Sequence, residues 1–262
     1  MNKNVKLLTV LVLCLLLVVA ACSSNDSQEK DTEMELVKEG KLTFAMSGLY
    51  KPLNYKENNE LVGFDVEIGT EIAKRIGLEP NPVTNPWETI IQGLKGKKYD
   101  AIIGSMAATE ERAKQVDFTE PYYISGAQIF IDESNDSIKS KEDLNGKRIG
   151  VVQASTYLED AKGFTEDIKS YPSDIYALQD LAPGRVDAVI TDKIVGITAM
   201  QESNMKLKAI SPMIRTENIN IAVNKDNPDL LKAINEALAS MIEDGTYEEI
   251  SNKWFGVNLL EE

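Results

Sequence analysis

Thr109 and Arg112 stand three residues apart at the head of "TEERAKQVDF", and the arrangement is chemically odd. Thr109 is a natural helix N-cap, and Glu110 and Glu111 then place negative charge in the first turn, where the macrodipole favours it. Arg112 falls at N3, where a capping box would carry Glu or Gln and a cation is mildly disfavoured. From these residues alone, a solvated arginine paired with Glu110 or Glu111 and an arginine kept for an incoming anion both remain open. The rest of the inventory narrows the chemistry. There is no histidine, and the two cysteines are Cys14 and Cys22. The usual metal sites and the Ser-His and Cys-His nucleophile systems are thereby excluded, and any catalysis would rest on carboxylates. A formal charge of -14 makes nucleic acid an unsuitable partner.

Those residues need a scaffold, and the chain begins with an export signal. Lys3 and Lys6 precede an apolar run over 7–21, short for a membrane span and suited to the h-region of a signal peptide. The run closes in "VVAAC", which resembles the lipobox of bacterial lipoproteins with valine at Val19 in place of the commoner leucine. Residues 1–21 are therefore expected to be removed, and Cys22 to carry lipid, palmitate included, as the first residue of the mature chain. A polar, flexible linker over 22–40 follows. With Cys14 lost in the signal, no disulfide is possible, so the exported protein must stand on its hydrophobic core. About 220 residues suffice for one large or two smaller domains.

Internal echoes set the organisation. "GKLTFAM" at 40–46 and "GKRIGVV" at 146–152 are each Gly-Lys followed by an apolar strand, and "KYDAIIGSM" at 98–106 matches "RVDAVITDK" at 185–193. Each reads as a strand buried on both faces of a helix-covered sheet. Amphipathic helices are expected over 64–76, 88–94 and 176–181. The result is an α/β protein of two lobes with related wiring. In open α/β sheets, ligands bind beyond the carboxyl ends of the strands, which here are 47–50, 105–109, 153–156 and 191–192. Two lobes facing across these ends would enclose an aromatic ring, hydroxyls, one arginine and one aspartate.

The stretches "YKPLNYKENNELVGFDVEIGTEIAKRIG", "WETIIQGLKGKKYDAIIGSMAATEERAKQVDFTEPYY", "SIKSKEDLNGKRIGVVQAST" and "GRVDAVITD" resemble the polar amino-acid-binding proteins of bacterial ABC importers. These are the bacterial solute-binding proteins of family 3, with the type II periplasmic-binding fold. The resemblance spans positions 41–257 and implies two lobes joined by a two-strand hinge, with a ligand cleft between them. Lobe 1 is expected over 41–125 plus 226–262 and lobe 2 over 126–225, with hinges near 125–126 and 224–226. The implied function is capture of a free amino acid by a monomer, lipid-anchored on the extracytoplasmic face of the cell membrane, and its delivery to a permease. Neither a cofactor nor enzymatic activity is expected.

The resemblance also transfers roles. Arg112, in the T-x-x-R motif, would grip the ligand α-carboxylate with its planar fork. Asp192 would receive the α-ammonium, a role compatible with capping the helix that follows it. Ser105, Ser155 and Thr156 would hydrogen-bond the carboxylate through hydroxyls or helix N-terminal amides, and Tyr50 and Trp87 would sandwich the side chain. Three positions depart from the family pattern: Leu53 replaces an aromatic, Ala107 replaces Ser or Thr, and Ser47 replaces the aspartate of many members that bind cationic or amide side chains. The last favours a neutral or polar amino acid, sulfur-containing ones included. Exported dehydratases and receptor sensor domains share the fold. The first would need an acid or base in the cleft, and the second a membrane span, none of which follows Trp254.

Overall fold

The computed structural model describes residues 34–202 and 205–261; the expected signal peptide, Cys22 and the linker as far as position 33 lie outside the described residues. Strand β1 (Lys41–Met46) leads into a small antiparallel meander of β2 (Leu49–Tyr50), β3 (Asn54–Glu57) and β4 (Glu60–Val62). Helix α1 (Phe64–Arg75) follows, with Asp65 and Glu67 in its first turn and Lys74 and Arg75 in its last, as the macrodipole favours. Phe64, Ile68 and Ile72, four residues apart, put one apolar stripe into the core. Strand β5 (Glu79–Thr84), a 3-10 turn at Trp87–Thr89, α2 (Ile90–Lys95), β6 (Ala101–Ala107) and α3 (Glu110–Ala113) complete this half.

Strand β7 (Asp117–Asp132) carries the chain across to the second lobe. There β8 (Ile149–Val152), α4 (Thr156–Lys162), β9 (Ile168–Tyr171), α5 (Asp174–Gln179), β10 (Ala188–Asp192) and α6 (Lys193–Glu202) alternate. Strand β11 (Leu207–Val223) returns the chain, and α7 (Pro228–Glu243) and α8 (Thr246–Phe255) close over the first lobe. Helix α5 starts two residues before the expected position because Ser173 and Asp174 provide a polar start ahead of the apolar stretch.

The sheet order is β5-β1-β6-β11-β7-β10-β8-β9. The echoes seen in the sequence occupy equivalent places. Strand β1 lies between parallel β5 and β6, and β8 lies between parallel β9 and β10. All four echoing strands are buried along nearly their whole length.

The long strands β7 and β11 pair antiparallel and form the crossover. On one side, residues of β11 from Ile219 to Val223 also pair with β6; on the other, residues of β7 from Ala127 to Phe130 also pair with β10. The changeover falls where Gly126 faces Thr216 and Ser125 faces Glu217. A Cβ on Gly126 would lie 2.3 Å from the Arg215 carbonyl oxygen, so the close approach of the two hinge strands requires glycine. The return crossing is thus at 215–217, not at 224–226 as expected, and the second lobe ends near 215, not at 225. Ile219, Ile221 and Val223 pack with Leu42 and Phe44 in the first-lobe core. The Asn-Lys-Asp-Asn-Pro turn at 224–228 ends β11 inside lobe 1 and is not the hinge.

Phe64 centres the first-lobe core, with Tyr122 stacked at 6.1 Å and Tyr123, Tyr247 and Phe255 edge-on at 5.8, 6.1 and 5.2 Å. In the second lobe the sheet carries one cluster around Ile149, Tyr157 and Ile190 and another around Phe130, Leu178 and Val189. Among the described residues, no helix is long and apolar enough to cross a membrane.

Candidate ligand-binding site

The carboxyl ends of β1, β6 and β8 open on one cleft between the lobes, enclosing about 530 Å³ of empty space, part of it open to solvent. Arg112 is the basic side chain on its wall among the described residues. Helix α3 has only four residues, capped by the Thr109 hydroxyl, which accepts from the Arg112 amide at 3.2 Å. That cap fixes the backbone and aims the side chain inward. Nη1 donates to the Ala107 carbonyl at 3.0 Å, and Nη2 crosses to the second lobe to donate to the Ala154 carbonyl at 3.2 Å. The guanidinium lies 5.5 Å from the Trp87 ring centre, and the Trp87 indole also donates to Ala154, at 3.3 Å. Among the described residues Arg112 has no ion-pair partner, so pairing with Glu110 or Glu111 does not account for it. Burial depresses its pKa, opposed first by the negative charge of Glu217.

Two residues other than glycine occupy the left-handed backbone region at the cleft: Ser105 with φ 61 and Ala154 with φ 57. Such strain persists where surrounding contacts over-determine it, and at Ser105 those contacts are visible. Its amide donates to Tyr122 Oη at 3.0 Å and its hydroxyl to Asp65 Oδ2 at 2.8 Å. Asp65, fully buried, also accepts from Asn54 Nδ2 at 2.6 Å and Tyr122 Oη at 2.5 Å, and Asn54 in turn accepts from Ser47 Oγ and the Gly48 amide. Burial pushes Asp65 up to about 6, and the three hydrogen bonds pull the other way. This engagement corrects the expectation for Ser105: neither its hydroxyl hydrogen nor its amide remains for a ligand carboxylate. It can only accept, which suits an ammonium.

The second-lobe residues also differ in detail from expectation. Ser155 donates its hydroxyl to the Val152 carbonyl at 2.6 Å, so its side-chain donor is engaged locally. Thr156 opens α4, whose first amides have no intrahelical acceptor, and lines the cleft. Asp192 is only 1 % exposed and is not itself on the wall. Its Oδ1 accepts from the Ile194 amide at 2.7 Å, so the capping role is realised, and Tyr157, which does line the cleft, approaches Oδ2 at 3.4 Å. Burial pushes Asp192 up to about 7. Tyr50 and Trp87 both line the cleft, from the same lobe.

Leu53 is buried in the first-lobe core, Ala107 serves through its carbonyl, and the Ser47 hydroxyl is held by Asn54. Sequence reasoning missed Tyr157, Ser173, Asp174 and Glu217, all on the wall. Glu217 is 6 % exposed and lies 2.8 Å from Arg215 Nη1, an electrostatic contact without hydrogen-bond alignment. Arg215 also grips Asp160 bidentately at 2.9 and 2.8 Å. The one sequence signal for Glu217 is an acidic residue buried within a strand pattern, and for Asp174 a polar pair opening a helix. Among the described residues, no cluster of His, Cys, Asp or Glu could hold a metal.

A profile of the bacterial extracellular solute-binding proteins, family 3, matches residues 42–257. The L-cystine-binding protein TcyJ of Escherichia coli (strain K12) is 31% identical over 245 residues, 92% of each chain. The ABC transporter arginine-binding protein 1 of the same strain is 36% identical over 223 residues, 82% of this chain and 90% of that one. Among solved structures, an ancestral arginine-binding protein bound to glutamine superposes with TM-score 0.79 at 39% identity, covering 84% of this chain and 99% of that one.

Proposed function

The chain belongs to the bacterial extracellular solute-binding proteins, family 3, and from that premise we propose that it captures a free amino acid for an ABC importer and hands it to the permease. The observation that carries this reading is Arg112. It is a half-buried guanidinium without an ion-pair partner among the described residues, set over the Trp87 ring and tied to both lobes, with donors left over for one carboxylate. The α-ammonium goes to Asp192, replacing the long 3.4 Å approach of Tyr157, with the Ser105 hydroxyl oxygen as a second acceptor. A ligand held from both lobes binds the closed form more tightly than the open one, and that difference drives closure about the β7–β11 crossover. Lipid on Cys22 and the linker after it keep the protein beside its permease on the outer face of the membrane.

Thermal-shift screening of the protein against the free amino acids tests the reading. Mass action requires a native-state ligand to raise Tm. If none does so, the reading is wrong. Loss of membrane association in Cys22→Ala is the corresponding test of the anchor.

A further inference from the structure

We propose that Ser173 and Asp174 form the side-chain end of this cleft and select an amino acid whose side chain terminates in an ammonium or guanidinium group. The proposal rests on the amino-acid reading above and adds a substrate class to it. Both residues line the cleft and each is only 3 % exposed. Ser173 opens α5 yet makes no cap, and its buried Oγ has no hydrogen-bond partner among the described residues. A buried hydroxyl left in that state costs free energy that a ligand group would recover.

Asp174 beside it has one side-chain partner, the Thr191 hydroxyl on its Oδ1, and no ion pair among the described residues. The other acids near the cleft are already served. Glu217 is paired with Arg215, and Asp192 caps α6. Asp65 takes three hydrogen bonds within lobe 1. Asp174 is therefore the buried carboxylate on this wall that lacks both a cation and a full set of donors. An ionised carboxylate accepts and cannot donate, and in a desolvated pocket it is stabilised most by a counter-ion that also hydrogen-bonds. Burial raises Asp174 to about 6, which a cation alongside would reverse.

An acid missing at position 47 does not disfavour cationic side chains, because Asp174 supplies one from the opposite lobe. Ser47 itself is engaged with Asn54.

Paired isosteres isolate the charge at the tip: L-arginine against L-citrulline, and L-lysine against L-norleucine, each titrated calorimetrically into the full chain at neutral pH. A hydrogen-bonded counter-ion should favour the charged member of at least one pair by about 10- to 100-fold. Asp174→Asn, nearly isosteric and able to keep the Thr191 contact, should bring that pair to within about threefold, chiefly by weakening the charged member. Equal affinities within both pairs for the wild type overturn the proposal without any variant. So does a loss in Asp174→Asn that is the same for charged and neutral ligands, because Asp174 would then hold the α-ammonium. If no amino acid binds at all, the functional reading falls first and this proposal with it.

Discussion

Replacing Arg112 with alanine separates a ligand-binding arginine from a structural one, because the two roles move different observables. The substitution removes Nη1 from the Ala107 carbonyl and Nη2 from the Ala154 carbonyl, at 3.0 and 3.2 Å. It also removes the counter-ion for a carboxylate shut inside the cleft. Leaving one member of a buried ion pair alone costs about 3 to 5 kcal/mol, or roughly two to three and a half decades in Kd. Stability of the unliganded protein should behave differently. Burial depresses the Arg112 pKa, and no ion pair compensates the charge among the described residues, so deletion relieves desolvation while losing two modest hydrogen bonds. The expected result is a ligand-free Tm that is unchanged or higher, together with binding at least about a hundredfold weaker by calorimetry. Arg112→Lys should recover part of the affinity, since a point charge cannot make the fork. Glu110→Ala, an exposed change on the same short helix, should leave both observables unchanged. Binding by Arg112→Ala within about threefold of wild type would refute the carboxylate clamp. A fall in ligand-free Tm that accounted for the lost affinity would make the residue structural.

Trp87→Phe keeps a ring beside Arg112 but loses the indole bond to Ala154, worth about 0.5–1.5 kcal/mol. Calorimetry should therefore show roughly a two- to tenfold weaker Kd, and no change would mean that this bond does not favour closure. Asp65→Ala leaves Asn54, Ser105 and Tyr122 without their shared acceptor and should cost about 3 kcal/mol or more in urea unfolding; a change below about 1 kcal/mol would contradict the network. Asp192 is raised to about 7 in the folded state from 3.8, so the folded protein binds more protons than the unfolded chain between those values. Its contribution is fully present below 3.8 and is lost as pH rises toward 7, so ligand-free Tm should fall less steeply over that window in Asp192→Asn than in wild type. Identical slopes would refute the shift. Ligand affinity should weaken as pH drops below about 7, because a protonated Asp192 offers no charge to an ammonium.

The strands, their echoes and the cap at Thr109 were legible in the sequence because they rest on local physics. A β-strand buried on both faces must be a continuous apolar run, and a four-residue helix needs its cap within four residues. Arg112 stood out for the same reason, as a cation where the local rule wants an acid. The return crossing at 215–217 was hidden because β11 runs unbroken through both lobes, and only its changing neighbours, β7 throughout and β6 at one end, mark the transition. The engaged donors of Ser105, the capping contact of Asp192 and the unpartnered hydroxyl of Ser173 were hidden for a related reason. A hydroxyl or carboxylate has the same formula whether its hydrogen-bonding capacity is filled by Asp65, by Ile194 or by nothing. Residue types and periods of two and 3.6 therefore set the elements and the list of candidate groups. Which of those groups still have capacity for a ligand was decided by partners 35 to 57 positions away, brought into contact by the sheet, as at Tyr157 with Asp192, Ser105 with Asp65 and Tyr122 with Asp65.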